Sequence, residues 1–232
     1  MKINLLRLDN VSILEQLRIE EGLLRTSNEN WFLFNQGSPK SIVMGISGIP
    51  STLIDEKKVF QDNIPLIQRF SGGGTVFVDE DTLFTTFIFQ KESHPFTPYP
   101  KEILHWVGDF FTKALPLKEF SIRENDFTLN NKKIGGNAQY IKKDRWLHHT
   151  TFLWDFTPTN MEYLLHPPTE PSYRKGRSHT DFITKIRPHL SKEDFYNAIL
   201  YHLEKNSDVE KKAIPISFPT HRKATQVFYT KE

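Results

Sequence analysis

The sequence predicts an α+β fold: a mixed, largely antiparallel sheet flanked by helices. Three observations support this. Strand-like and helix-like segments mix without strict βαβ alternation. Neighbouring strand segments are separated by short polar turns, as hairpins are. The chain of 232 residues is 38% hydrophobic with 19 Phe, enough for one large domain with a dense aromatic core.

From the start, residues 3–8 read as a strand. A helix opens at Ser12, where Ser12 and Glu15 have the spacing of a capping box. Strands follow at 31–35 and 41–46, where aromatic and branched residues dominate. Residues 66–70 lead into a glycine-rich bend. Residues 75–78 and 83–89 are expected to form a hairpin about the turn Asp79-Glu80-Asp81. The clearest helix is 100–115, because Ile103, Val107, Phe110, Phe111 and Ala114 recur at helical spacing and make one apolar face. Successive strands fill 118–156, with turns at Asn130-Asn131 and Lys142-Lys143-Asp144. Beyond Pro158 the chain is Pro-rich and polar, until a helix capped by Ser191 with Asp194. No repeat or low-complexity segment interrupts a single domain spanning 1–232.

Composition excludes several function classes. A formal net charge of +2 does not demand a nucleic acid partner. With no cysteine there is no disulfide, thiolate metal site or cysteine nucleophile. The opening MKINLLRLDN is broken by Arg7 and Asp9 before a signal-type apolar core develops, and apolar runs such as Phe87-Ile88-Phe89 are too short for a bilayer. The expectation is a cytoplasmic protein with no membrane association.

Three segments carry chemistry. In Arg69-Phe70-Ser71-Gly72-Gly73-Gly74-Thr75-Val76-Phe77, glycines let the backbone approach a ligand while N–H groups converge on an anion. No Gly-Lys-Ser/Thr follows, so this is no Walker loop, and the dinucleotide spacing is missing. The second segment is Asn125-Asp126-Phe127 with Lys132-Lys133-Ile134-Gly135-Gly136-Asn137-Ala138. Glycine weakens a strand interior and makes sense where something large lies against the backbone; a lysine beside it can hold an anion. Lys132 reads as solvated on its turn. In the third, Leu147-His148-His149-Thr150-Thr151, adjacent side chains of a strand face opposite ways. The two histidines therefore cannot share a metal, and no other ligand spacing suggests one.

In this order the segments resemble the catalytic domain of the lipoate–protein ligase A family, whose fold is shared by biotin ligases and lipoyl/octanoyl transferases and is class II aminoacyl-tRNA/biotin synthetase-like. The matching pattern is Arg69-x-Ser71-Gly72-Gly73-Gly74-x-Val76-Phe77, Asn125-Asp126, Lys133-Ile134-x-Gly136-x-Ala138 and Leu147-His148-His149-x-Thr151. Lys175-Gly176-Arg177-Ser178 is similar to the family's basic loop, and the likeness runs from about residue 10 to about residue 205. The resemblance implies that Arg69, Gly72, Gly73 and the backbone of Gly74, Thr75, Val76 and Phe77 hold the phosphates of ATP, which arrives with Mg²⁺. It implies that Lys133 is the catalytic group bridging lipoate carboxylate and α-phosphate, with Asn125 and Asp126 near the adenylate. Ser71, Gly135, Gly136, His149 and Thr150 would contact lipoate. Two departures fall at the acyl pocket: Phe77-Val78-Asp79 stands where the family has aromatic-His-Asp, and Gly135 where it has Ser or Ala.

The implied reaction is ATP-dependent attachment of lipoate, through lipoyl-AMP, to a lysine of lipoyl domains: E2 subunits of 2-oxoacid dehydrogenases or the glycine cleavage H protein. The family's small C-terminal accessory domain is not evident, which leaves three expectations: the chain acts alone, acts with a separately encoded small accessory protein as partner, or performs only the transfer step. The alternatives are a lipoyltransferase taking preformed acyl-adenylate, and a non-catalytic module binding acyl-carrier domains. Lys132, Lys142, Lys143 and Arg145 are expected to form a basic rim that attracts an acidic acceptor.

Overall fold

The computed structural model describes residues 1–215 and 217–230. The chain begins with strand β1 (Lys2–Asp9), helix α1 (Ile13–Thr26), β2 (Trp31–Gln36) and β3 (Ser41–Met44). Short helices α2 (Pro50–Leu53) and α3 (Glu56–Gln61) precede β4 (Leu66–Gln68), β5 (Val76–Val78) and β6 (Thr82–Gln90). Helix α4 (Pro100–Ala114) leads to β7 (Phe120–Arg123), β8 (Asp126–Leu129), β9 (Lys132–Ile141) and β10 (Arg145–Leu153). Then come α5 (His179–Phe182), α6 (Lys192–Asn206), β11 (Asp208–Lys211) and β12 (Gln226–Tyr229).

The strands form an eight-stranded sheet in the order β11-β1-β2-β6-β10-β9-β8-β7 and a four-stranded sheet in the order β12-β4-β3-β5. In the large sheet β1 runs parallel to β11 and β2, and every other pairing is antiparallel. This is the mixed, largely antiparallel sheet that the hairpin-like spacing predicts. Both expected caps are made: Ser12 accepts from the Glu15 N–H and Ser191 from the Asp194 N–H.

One expectation is corrected. Residues 75–78 and 83–89 do not pair: β5 pairs with β3 in the small sheet, while β6 lies between β2 and β10 in the large one. The turn between them is real, with Asp79 accepting from the Asp81 N–H and the Thr82 hydroxyl, but it is a crossing between sheets. β6 is buried along all but its last residue and needs neighbours on both edges, which a two-stranded hairpin could not supply.

The two faces of the large sheet differ in what covers them. One face packs on α4 and α6, where Phe87, Phe89, Trp146 and Phe152 meet Ile103, Val107, Phe111 and Phe195. The other packs on α1, where Phe84, Ile88 and Leu147 meet Leu17 and Leu24. A third core joins the small sheet to α3 and α5 through Ile42, Phe77, Val59 and Phe182. After α6 the chain crosses back over α1: buried Glu21 accepts from the N–H groups of Ala224 and Thr225, and β12 adds an edge strand beside β4. No helix among the described residues is long and apolar enough to cross a membrane.

Candidate active site

The sequence-predicted residues gather where the β8–β9–β10 ribbon meets the glycine loop between β4 and β5. Register brings Lys133 and Gly136 to one face. Asp126 pairs with Gly136 and Phe127 with Gly135, but Thr128 pairs with Lys133, so Ile134 is an extra residue and the strand bulges. The bulge sends Ile134 into the helix-covered core and leaves Lys133 over Gly136, not Gly135. A Cβ built on Gly136 would sit 3.6 Å from Lys133 Nζ, whereas one on Gly135 would press on the Phe152 ring at 3.2 Å. Gly136 thus lies under the lysine stem, where a Cβ would make ordinary contact with it.

Lys133 Nζ lies 2.6 Å from Asp126 Oδ1, and Asp126 Oδ2 accepts from the Tyr173 hydroxyl at 2.8 Å. Burial and the Asp126 carboxylate push the Tyr173 phenol up, so it remains a donor. Lys133 also anchors α5, since its carbonyl accepts from the Thr184 N–H. Beside it lies buried Arg174, whose Nε donates to the Arg177 carbonyl and whose guanidinium covers the Phe182 ring at 4.9 Å. Its Nη2 finds no partner among the described residues. Its Nε also lies 3.5 Å from Glu170 Oε2, so the cation already has a carboxylate partner. Burial holds its guanidinium below the usual range.

The glycine loop is built from beneath. Arg69 is 6% exposed and spends its donors on the loop: Nε to Ser71 Oγ and the Gly72 carbonyl, Nη2 to the carbonyls of Gly72 and Gly74. Burial pulls it down to about 10, with the Glu20 carboxylate acting the other way, so it is charged at neutral pH. Gly73 has φ 98°, and a Cβ there would lie 2.7 Å from Arg69 Nη2. Gly45 is needed equally, because its Cβ would collide with the Gly73 carbonyl oxygen. The N–H groups of Gly72, Gly73 and Gly74 find no acceptor among the described residues, and the buried Thr75 hydroxyl is likewise without a partner there. Val76 and Phe77 continue into β5 through pairing with Val43 and Ile42, and the Phe77 ring stacks on Tyr163.

His148 and His149 face opposite ways, as alternation requires. His148 is fully buried on the α4 side between Asn137 and Gln139, and burial takes it down to about 3. His149 turns to the other face, with Nε2 2.8 Å from Ser71 Oγ and Nδ1 2.9 Å from Glu20 Oε2. Thr150 belongs with His148, donating to Asn137 Oδ1, and is not brought together with His149; its neighbour Thr151, which pairs with Gly136, faces the site instead. Asn125 is exposed and contributes its carbonyl to Asn137 Nδ2. The basic rim is also corrected. Lys132 and Lys142 lie at opposite ends of β9, while Arg145 is buried and bonded to the Glu29 carbonyl, so no continuous rim exists.

Sequence reasoning missed Glu20, Tyr173, Arg174 and Gly45. For Glu20 there was a signal: it falls on the stripe Ile13, Leu17, Leu24 of α1, where a solvated carboxylate has no business. For Tyr173 and Arg174, in an irregular Pro-rich stretch, there was none.

The chain is 28% identical to "Inactive lipoate--protein ligase 2" of Plasmodium falciparum (isolate 3D7), over 80% of this chain and 64% of that protein. It is 27% identical to lipoate-protein ligase LplJ of Bacillus subtilis (strain 168), over 88% of this chain and 64% of that one. The chain thus spans less than two-thirds of the length of either relative. Its fold is that of lipoate-protein ligase A bound with ATP, at TM-score 0.74 and 16% identity over 93% of this chain and 90% of the other. It is also that of a bi-partite lipoate protein ligase from Thermoplasma acidophilum, studied with its E2 lipoyl domain, at TM-score 0.73 and 17% identity over 91% and 86%. Residues 12–204 match the model of the lipoyl protein ligase A/B catalytic domain, and the chain belongs to that family.

Proposed function

We propose that the chain activates lipoate with ATP and transfers the lipoyl group to a lysine of a lipoyl domain. The observation that carries the reading is the Lys133–Asp126 pair on a face cleared by Gly136, beside a glycine loop with three unfilled N–H groups. A carboxylate cannot acylate an amine unaided, because its oxygen leaves poorly. Attack of the carboxylate on the α-phosphate makes a mixed anhydride; the acceptor amine then attacks the acyl carbon and AMP leaves. Both steps concentrate negative charge at one phosphate, and Lys133 Nζ and the loop N–H groups would stabilise it there. Asp126 and Tyr173 fix the lysine, and Arg69 holds the loop from below. Mg²⁺ would enter with the nucleotide.

The acceptor class is supported by the Thermoplasma neighbour, whose ligase is bi-partite and was studied with a lipoyl domain; a separately encoded accessory protein fits the same reading. A binding role without chemistry is the second reading, since one relative is named inactive. Lipoate-dependent conversion of ATP to lipoyl-AMP separates the two. Its formation supports the first, and lipoyl-domain binding without ATP turnover supports the second.

A further inference from the structure

One hydrogen-bonded chain at the site, whose residues the resemblance assigns only to lipoate contact, takes part in neither chemical step above. Ser71 Oγ, His149 and Glu20 are linked in series at 2.8 and 2.9 Å. Glu20 is fully buried on α1, and its Oε1 accepts from Gln16 Nε2 at 2.8 Å and from the Thr86 hydroxyl at 2.6 Å. That leaves Oε2 to accept from His149, which places the imidazole proton on Nδ1 and the lone pair on Nε2. Ser71 then donates to Nε2 while its oxygen accepts from Arg69 Nε at 3.1 Å. This is the order of a nucleophile, a base and a group that orients the base. The residues after Ser71 are Gly72 and Gly73, whose unfilled N–H groups are where an oxyanion hole would stand.

The chain ends beside the acyl site. His149 and Thr151 project from one face of β10 about 7 Å apart, two residues along a strand. Thr151 pairs with Gly136, beneath Lys133. Ser71 itself is fully buried. The positions of a Cβ on Gly72 and Gly74 have open space around them, so the outer side of the loop is open to a ligand, and an acyl carbon reaches Ser71 Oγ only as the loop shifts.

We propose that Ser71, with His149 as base and Glu20 as the positioning residue, is the nucleophile of a second, hydrolytic activity toward medium-chain acyl groups carried on a good leaving group. For an acyl-adenylate this rests on the reading above; for a simple activated ester it does not. Ser71 Oγ bonds to the acyl carbon as the bond from that carbon to the phosphate oxygen breaks. AMP leaves with the bonding pair, and the hydroxyl proton passes to His149 Nε2 and from there to solvent, which returns the imidazole to its neutral form before water attacks. Water then attacks the acyl-serine, its proton going to His149, and Ser71 Oγ takes back the bonding pair and a proton. The net change is acyl-adenylate and water to carboxylic acid and AMP, which discharges an adenylate that meets no acceptor.

The test uses the full chain with p-nitrophenyl octanoate and no ATP. Nitrophenolate release above the buffer rate, with an octanoyl group mapped by mass to Ser71, is the expected result. Ser71→Ala abolishes both, and Glu20→Gln lowers kcat by about tenfold or more at unchanged KM. Because buried variants can fail to fold, the unmodified chain is also treated with a fluorophosphonate probe, which is expected at Ser71. No adduct at Ser71 with either reagent, or ester hydrolysis unchanged in folded Ser71→Ala, overturns the proposal. ATP-dependent transfer to an apo lipoyl domain is measured in parallel. Transfer without Ser71 reactivity removes this inference alone, while Ser71 acylation without transfer supports it and removes the ligase reading.

Discussion

The two faces of β10 are built from alternate residues of one strand and have become different materials. Toward α4, Trp146, His148, Thr150 and Phe152 are buried, and His148 is held neutral by desolvation between Asn137 and Gln139. Toward α1 and the glycine loop, His149 and Thr151 are partly exposed, and around them stand Ser71, Glu20 and Lys133. The difference is not residue type, since both faces carry a histidine and a threonine. It is what covers each face. Aromatic packing locks one side, while a Cβ-free loop and Gly136 leave room on the other. One strand can therefore serve as the wall of a core and the floor of a site.

Crossed substitutions sharpen the contrast. Phe152→Ala, on the packed face, should cost about 3–5 kcal/mol of folding stability, read as a lower urea midpoint, while the folded fraction keeps its activity. Lys133→Ala, on the open face, should do the reverse: adenylate formation falls about a hundred- to thousandfold, roughly 2.7–4 kcal/mol of transition-state stabilisation, with the midpoint near the parent's. Lys132→Ala, exposed on its turn, should be nearly silent.

The paired glycines give a smaller effect with the same logic. Gly135→Ala presses on Phe152 and the Thr151 carbonyl and should cost about 1 kcal/mol or more of stability. Gly136→Ala meets only ordinary contacts, with the Lys133 stem and the Thr151 hydroxyl, so the melting temperature should hold and adenylation should change by no more than a few-fold.

Acid should act on the packed face. Burial lowers His94 to about 4 and His148 to about 3 from 6.5. The folded state therefore binds fewer protons than the unfolded chain below pH 6.5. The stability due to their neutrality is complete above that pH and is lost as pH falls toward 4 and then 3. Urea midpoints measured from pH 8 to 4 should decline below 6.5, and less steeply in His148→Gln. A small effect is also expected of Lys142→Glu/Lys143→Glu, which should change transfer to a lipoyl domain by no more than about twofold at low salt. Lys142 is already committed to the Leu24 carbonyl and Asp144, far along β9 from Lys133.

The strands of this ribbon were legible because Asn130 and Asn131 take the left-handed turn their type favours and the flanking residues alternate. The opposite facing of His148 and His149 followed from the same period. The bulge at Ile134 was not legible, because the register is decided by β8 and not by β9 alone. Nor was the split of β5 and β6 between two sheets, which depends on partners 30 or more residues away in sequence. Strand β12 exists only because β4 offers an edge, and its own four residues give no alternation to read. Glu20 was visible as a carboxylate in an apolar stripe, but its meaning required β10 to be laid against α1.

The central claim is that the open face activates and transfers a lipoyl group through Lys133. The most direct measurement is the intact mass of an apo lipoyl domain after incubation with ATP, Mg²⁺, lipoate and this chain, beside the same mixture with Lys133→Ala. The account predicts one lipoyl group added by the parent chain, dependent on ATP, and almost none by the variant. An unmodified domain with the folded parent chain, or equal modification by Lys133→Ala, would contradict it.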